Sequence, residues 1–144
     1  MHLTRFTDYG LRTLIYLAVK SPEERVTISE ITKTYDLSRD HVVKVVHRLG
    51  QLGYIDTVRG KGGGFSLARM PGEINIGKVI EDLEPSLDLV DCENPQCRLT
   101  PSCRLKGVLQ EASGAFMGVL SAYTLADLVK RKQRTRELLG VDPE

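Results

Sequence analysis

Arg59-Gly-Lys-Gly-Gly-Gly64 constrains this chain more than any other stretch. So many glycines cannot hold a helix, because glycine loses the most backbone freedom on ordering. The run lies between two β-prone segments, 54–58 and 65–68, and the second alternates apolar and polar. Together they read as a two-stranded hairpin with a basic, flexible tip. The glycines serve either positive-φ turn geometry or close approach of the backbone to a ligand. A phosphate loop of the NTPase kind does not fit, since no Gly-Lys-Ser/Thr is present and no helix starts directly after the glycines.

Three short helices are expected ahead of the hairpin. From about Thr7 to Val19, Leu11, Leu14, Ile15 and Ala18 recur at helical spacing and make one buried face. Thr7 is the expected N-cap, with Asp8 at the positive end of the helix dipole. Thr27-Ile-Ser-Glu30 has capping-box spacing and opens a second helix, which ends around Tyr35 and Asp36. A third runs from Ser38 to about Leu52 and stops at Gly53. Val42, Val45, Val46, Leu49 and Leu52 form its apolar side, while Asp40, His41, Lys44, His47, Arg48 and Gln51 gather opposite.

Two short helices, a tight turn and a third helix with a basic outer face make a helix-turn-helix, and the hairpin adds a wing. The expected fold class is mainly α with a small β-wing. In that fold the outer face of the third helix enters a major groove, which makes Ser38, Arg39, His41, Lys44 and Arg48 candidate DNA-binding residues. Arg59 and Lys61 at the wing tip reach a phosphate or a narrow minor groove. A three-helix core with a merely solvated face is the plainer reading. Charge favours DNA: residues 1–69 carry 11 Lys and Arg against 7 Asp and Glu, whereas residues 70–104 carry 3 against 7.

Downstream, Asn75 to Leu83 is a short helix with Ile76, Val79, Ile80 and Leu83 buried, and Pro85 follows it. From Ser102 to about Lys132 a long helix is expected. Leu105, Leu109, Ala112, Phe116, Val119, Tyr123 and Ala126 keep a heptad seam along it, and Gly107, Gly114 and Gly118 line another face. Such a helix cannot bury both faces on a small winged helix, so a homodimer is expected through it; a helix folded back on its own domain is the plainer reading. The domain reading is then a winged helix-turn-helix DNA-binding domain over 1–69 and a connector helix with a cysteine loop over 70–103. A dimerisation helix over 104–132 and a flexible tail over 133–144 complete it. No apolar stretch is long enough to span a membrane, and the start has no leader pattern, so a cytoplasmic location is expected.

All three cysteines, Cys92, Cys97 and Cys103, fall in one loop punctuated by Pro95 and Pro101. In a reducing compartment, thiols clustered like this bind metal or sense redox state rather than form disulfides. The spacing lacks the Cys-x2-Cys pairs usual in structural zinc sites. An iron–sulfur cluster accepts wider spacing, because its ligands reach separate irons. Spacing alone leaves a cluster, zinc and free redox thiols all open. No nucleophile–base pair or carboxylate pair stands out, so no enzyme is expected.

The order helix-turn-helix, Gly-rich wing, three-cysteine loop and long helix resembles the iron–sulfur winged-helix regulators of the IscR/NsrR family. Arg5-Phe-Thr-Asp-Tyr-Gly-Leu-Arg12 and Val58-Arg-Gly-Lys-Gly-Gly-Gly-Phe65 carry the resemblance, which spans nearly the whole chain. It implies a transcriptional repressor that binds palindromic operator DNA as a homodimer. IscR-type members, which regulate by iron–sulfur status, carry a histidine ligand three residues past the third cysteine; here that position is Lys106. The nitric-oxide-sensing NsrR type lacks that histidine, and at least one form takes an aspartate from the first helix of the partner subunit as fourth ligand. Asp8 occupies the matching position. The resemblance therefore implies a 4Fe–4S cluster on Cys92, Cys97, Cys103 and Asp8 of the partner subunit, with a 2Fe–2S form left open, and nitric oxide as the signal. A zinc-stabilised winged helix is the remaining alternative, and an ion pair with Arg12 is the plainer role for Asp8.

Overall fold

Thr4, rather than Thr7, opens the first helix. In the computed structural model, which describes residues 2–141, α1 spans Arg5–Val19 and the Thr4 hydroxyl accepts the Thr7 N–H at 3.4 Å. Thr7 lies inside the helix and is fully buried. Both threonines precede the apolar run, so spacing could not choose between them. A distant contact favours Thr4: its N–H and hydroxyl donate to Glu84 Oε1 at 2.7 and 3.0 Å. Helix α1 is also buried on more than one face, with Thr13, Leu14, Tyr16, Leu17, Ala18 and Val19 all inside. It is the central helix, and α3 (Arg39–Gln51), β2 (Gly64–Leu67), α4 (Ile76–Leu83), α6 (Leu125–Leu128) and α7 (Lys132–Leu139) all pack against it.

Helix α2, Ile28–Tyr35, begins with the expected capping box: Thr27 accepts the Glu30 N–H at 3.2 Å, and Glu30 accepts the Thr27 N–H at 2.8 Å. Asp36 then turns the chain at φ 51° into α3, Arg39–Gln51. Val42, Val45, Val46 and Leu49 are buried, as the spacing requires. Strands β1, Ile55–Val58, and β2, Gly64–Leu67, pair antiparallel with Ile55 opposite Leu67 and Val58 opposite Gly64. The fold is therefore mainly α with a two-stranded wing. After a 3₁₀ turn at Pro71–Glu73 comes α4, Ile76–Leu83, capped by Asn75, which accepts the Lys78 N–H at 3.0 Å. Its apolar side, Ile76, Val79, Ile80 and Leu83, completes the core.

The long downstream helix is interrupted. Helix α5 covers Arg104–Ser121, α6 Leu125–Leu128 and α7 Lys132–Leu139. The break has a backbone cause: the Ile76 N–H donates to Tyr123 O at 2.9 Å, and the Leu125 N–H donates to Ile74 O at 2.8 Å. Helical geometry cannot coexist with that bridge. Thr124-Leu-Ala-Asp127 restarts the helix with its own capping box, a spacing the heptad reading passed over. Asn75 Nδ2 also donates to Ser121 O at 2.7 Å, and a Cβ on Gly77 would come within 2.9 Å of the Ser121 backbone. Only glycine lets α4 and the end of α5 approach so closely.

A flexible tail is expected over 133–144, and most of that span has regular structure. Residues 132–139 are helical, Arg136 and Val141 are buried, and Gly140 ends the helix in the left-handed region. The Arg- and Lys-rich composition hid that packing; residues 142–144 lie outside the described residues. Among the described residues no helix is long and apolar enough to cross a membrane.

The Thr124 N–H, then Lys130 and the Thr124 hydroxyl, hold the Asp127 carboxyl down at about 2. A carboxyl lowered by folding stabilises the fold above its unfolded value and loses that effect as pH falls through its folded value. Wild type is therefore expected to be more stable than Asp127→Asn at pH 7, with the gap closing between about pH 4 and pH 2. Urea titrations across that range measure it.

Candidate DNA-reading face and cysteine loop

The seven candidate reading residues are all exposed: Ser38, Arg39, His41, Lys44 and Arg48 on α3, and Arg59 and Lys61 in the wing. They are exposed because burial of Val42, Val45, Val46 and Leu49 turns the other side of α3 outward. Ser38 caps α3 with its backbone only. Arg39 donates to Ser29 Oγ at 3.2 Å, which joins α3 to α2 across the turn. The His41 ring lies 6.1 Å from the Tyr9 ring of α1.

The wing has a partner that sequence reasoning missed. The Val26 N–H donates to Phe65 O at 2.9 Å and the Phe65 N–H to Val26 O at 2.8 Å. Arg25 then donates to Gly62 O at 3.3 Å, bracing the tip. The only local signal was a lone β-branched residue before a helix cap. Gly60, Gly62 and Gly64 have φ of 92°, 75° and 145°, and a Cβ on Gly64 would meet Val26 O at 2.7 Å. Turn geometry and the Val26 contact therefore account for these glycines without any ligand.

The cysteine loop is shaped by its own backbone. Asp91 accepts the N–H groups of Glu93 and Asn94 at 2.9 and 3.0 Å, which hold its carboxyl below the ordinary carboxylate value. The Cys97 N–H donates to Cys92 O at 2.9 Å, and the Thr100 hydroxyl donates to Cys97 O at 2.8 Å. Cys103 is the N-cap of α5, its Sγ accepting the Lys106 N–H at 3.4 Å. All three cysteines are free and half-buried. Among the described residues no three His, Cys, Asp or Glu side chains stand together as a metal-binding set within one chain. The donor chemistry nonetheless fits a thiolate-bound metal group: three unpaired thiols share one loop, and a helix N-terminus donates to one of them as it would to a metal-bound thiolate.

Asp8 is turned toward its own helix. Its carboxylate takes the Arg12 guanidinium at 2.9 Å, and both side chains are more than two-fifths exposed. Arg12 also lies 5.8 Å over the Tyr35 ring, while the Tyr35 hydroxyl donates to Arg12 O at 3.0 Å. Burial pushes the Tyr35 phenol up to about 12, so it remains a donor. These contacts link the first helix to the last residue of α2, just before the turn.

Helix α5 buries none of its residues. Leu109, Ser113, Met117 and Leu120 are half-buried toward the chain, and Ser113 donates to Leu87 O at 3.1 Å. Leu105, Val108, Phe116, Val119 and, just past the helix, Tyr123 are exposed. The heptad seam is thus shifted: Val108 joins it, Leu109 leaves it, and Ala126 lies in α6. Among the described residues, nothing beyond the helix's own backbone and the adjoining residues lies within 4 Å of where a Cβ on Gly107, Gly114 or Gly118 would stand.

The chain matches the family described as "Rrf2: Iron-dependent Transcriptional regulator" over residues 3–131. It is 47% identical over 142 residues to the HTH-type transcriptional regulator NsrR of Bacillus subtilis (strain 168), covering 96% of this chain and 97% of that protein. Against the NsrR of Shouchella clausii (strain KSM-K16) the identity is 46% over 142 residues, covering 96% and 95%. Among solved structures, T. potens IscR superposes with a TM-score of 0.75 at 26% identity, over 94% of this chain and 91% of that one. CymR, the global cysteine regulator of B. subtilis, gives 0.71 at 26% identity, over 91% and 98%.

Proposed function

The chain belongs to the Rrf2 family of transcriptional regulators, and on that premise we propose that it is a nitric-oxide-sensitive repressor. In this reading a homodimer binds a palindromic operator while an iron–sulfur cluster is in place, and releases it when nitric oxide attacks the cluster. The observation that carries the reading is one loop with three free thiols, set on the N-terminus of a helix whose outer stripe is apolar and exposed.

Cys92, Cys97 and Cys103 would hold the cluster, with Asp8 of the partner subunit as fourth ligand to a 4Fe–4S form. When bound, the cluster supplies iron that nitric oxide coordinates strongly. Asp8 suits an exchangeable role, because its present partner holds it weakly. An exposed i,i+4 pair such as Asp8–Arg12 contributes only about 0.3–0.5 kcal/mol. Moving the carboxylate to another partner therefore costs the first helix little.

Each chain offers one basic reading face, α3 plus the wing tip. A dimer doubles it, and two recognition helices enter successive major grooves only at a separation of about 34 Å. Engaging Asp8 across the dimer would hold the first helix of each chain against the cysteine loop of the other. Since α3 packs on α1, that hold sets the spacing of the two faces. Losing it frees the spacing, and affinity for a palindrome falls while single-face contacts remain.

Operator affinity of the anaerobically purified, brown protein, before and after nitric oxide, tests the reading. A fall of about tenfold or more is expected; equal affinities contradict it, and a colourless, sulfide-free protein contradicts the cluster. Replacing Cys92, Cys97 or Cys103 by Ala is expected to abolish stable cluster binding, and Asp8→Ala to keep a cluster with an altered spectrum. Arg59→Ala is expected to weaken binding similarly across sequences and to lower the salt slope by about one, as for a lost phosphate contact. Electrophoretic or anisotropy titrations at several salt concentrations read both quantities.

A further inference from the structure

Tyr54 stands where three parts of the chain meet, the end of α3, the exit of the wing and α4. Its ring is only 2% exposed. Its N–H donates to Leu49 O in the last turns of α3, and its carbonyl accepts the Ala68 N–H at the exit of the wing, both at 3.0 Å. The Arg69 guanidinium lies 4.9 Å over the ring and donates to Leu52 O at 3.2 Å. Toward α4, the phenol donates to Asp82 Oδ2 at 2.7 Å, and Asp82 Oδ1 takes Lys78 Nζ at 2.9 Å.

Both partners of that bond keep their protonation states. Burial, and then the bond to Asp82, push the Tyr54 phenol well above its ordinary value. Burial alone would raise the Asp82 carboxyl, but the bonds from Lys78 and Tyr54 outweigh it and leave it below the ordinary value. The bond is thus a neutral donor on a carboxylate, the stronger class of hydrogen bond.

Asp82 is two residues ahead of Glu84, which receives the N–H and hydroxyl of Thr4, and ten ahead of Cys92. The core-facing side of α4 is otherwise apolar, Ile76, Gly77, Val79, Ile80 and Leu83, and the directional contacts at its two ends, Asn75 and Ile76 with residues 121 and 123 and Glu84 with Thr4, do not reach α3 or the wing. Hydrophobic contact is non-directional and lets a helix roll at small cost, whereas a short hydrogen bond fixes rotation.

We propose that the Tyr54–Asp82 bond is the strut that locks the roll of α4 to the end of α3 and the wing, so that a change at the cysteine loop is felt at the DNA-reading face. This rests on the sensing function proposed above and names how that function is transmitted within one chain. Tyr54 and Asp82 are positioning residues, Tyr54 acting from the link between α3 and β1 and Asp82 from α4.

Wild type, Tyr54→Phe, Asp82→Ala and Asp82→Asn are prepared metal-free and after anaerobic reconstitution with iron and sulfide. Operator affinity is read in both states, together with amide hydrogen exchange over residues 49–54. The ratio of the two affinities is expected to shrink by about fivefold or more in Tyr54→Phe and Asp82→Ala. Asp82→Asn, which keeps an acceptor oxygen, is expected to retain most of the ratio. Reconstitution is expected to slow exchange over residues 49–54 in wild type and not in Tyr54→Phe. A packing role alone would weaken both states together, leaving the ratio and the exchange response as in wild type, and that result overturns the strut. A wild type whose affinity ignores reconstitution overturns the sensing function and the strut together; a responsive wild type with an equally responsive Tyr54→Phe overturns the strut alone.

Discussion

Helix α5 leaves its folding unfinished on its own chain. It is anchored at its end by the bridge between residues 74–76 and 123–125, and half-buried along one edge. Its outer stripe, Leu105, Val108, Phe116 and Val119, continuing to Tyr123, is exposed among the described residues. Fully burying each such aliphatic or Phe side chain gains about 1.5–3 kcal/mol over leaving it in water. A second copy presents the same stripe, and a two-fold arrangement is self-complementary by construction. Because Cys103 is the N-cap of α5, the thiol loop travels with the helix that would form the dimer. In the proposed function, detection and pairing are therefore one structural problem.

The other half of that problem is the start of α1. Thr4 is held by Glu84 at the root of the cysteine loop, Asp8 pairs with Arg12 one turn later, and Arg12 lies over Tyr35 beside the helix-turn-helix turn. The strong contacts, such as the charged acceptor on the Thr4 cap, fix the frame. The weak one, an exposed ion pair, is where a ligand exchange perturbs the frame least. In the proposed function, that contrast in strength is what would suit a carboxylate at this position to be a reversible ligand.

Much of the fold was legible because local rules agreed with the tertiary result. The Thr27–Glu30 capping box, the apolar side of α3, the wing glycines and the Asn75 cap all announce their elements. Reading failed where a partner distant in sequence decided the outcome. Thr4 outranks Thr7 because of Glu84, eighty residues away. The heptad pattern runs through Ala122–Thr124, yet the backbone there bonds to residues 74–76 instead of continuing a helix. The basic segment 130–136 looks like a solvated tail, yet Arg136 and Val141 are buried. Of the candidate site, exposure of Arg39, His41, Lys44 and Arg48 followed from the helical periodicity of α3. The brace that Val26 and Arg25 give the wing did not, since nothing local marks it. Neither did the Asp82 bond to Tyr54, which pairs two residues 28 apart with no shared motif.

In the proposed function, a carboxylate of one chain and three thiols of the other complete a single metal site. A mixed dimer tests it most directly, with Asp8→Ala in one chain and Cys97→Ala in its partner, reconstituted anaerobically with iron and sulfide. The account predicts one cluster per dimer with the wild-type spectrum and nitric-oxide response, because the intact thiols of the first chain meet the intact Asp8 of the second. A mixed dimer that shows only the spectrum of the Asp8→Ala homodimer would contradict it.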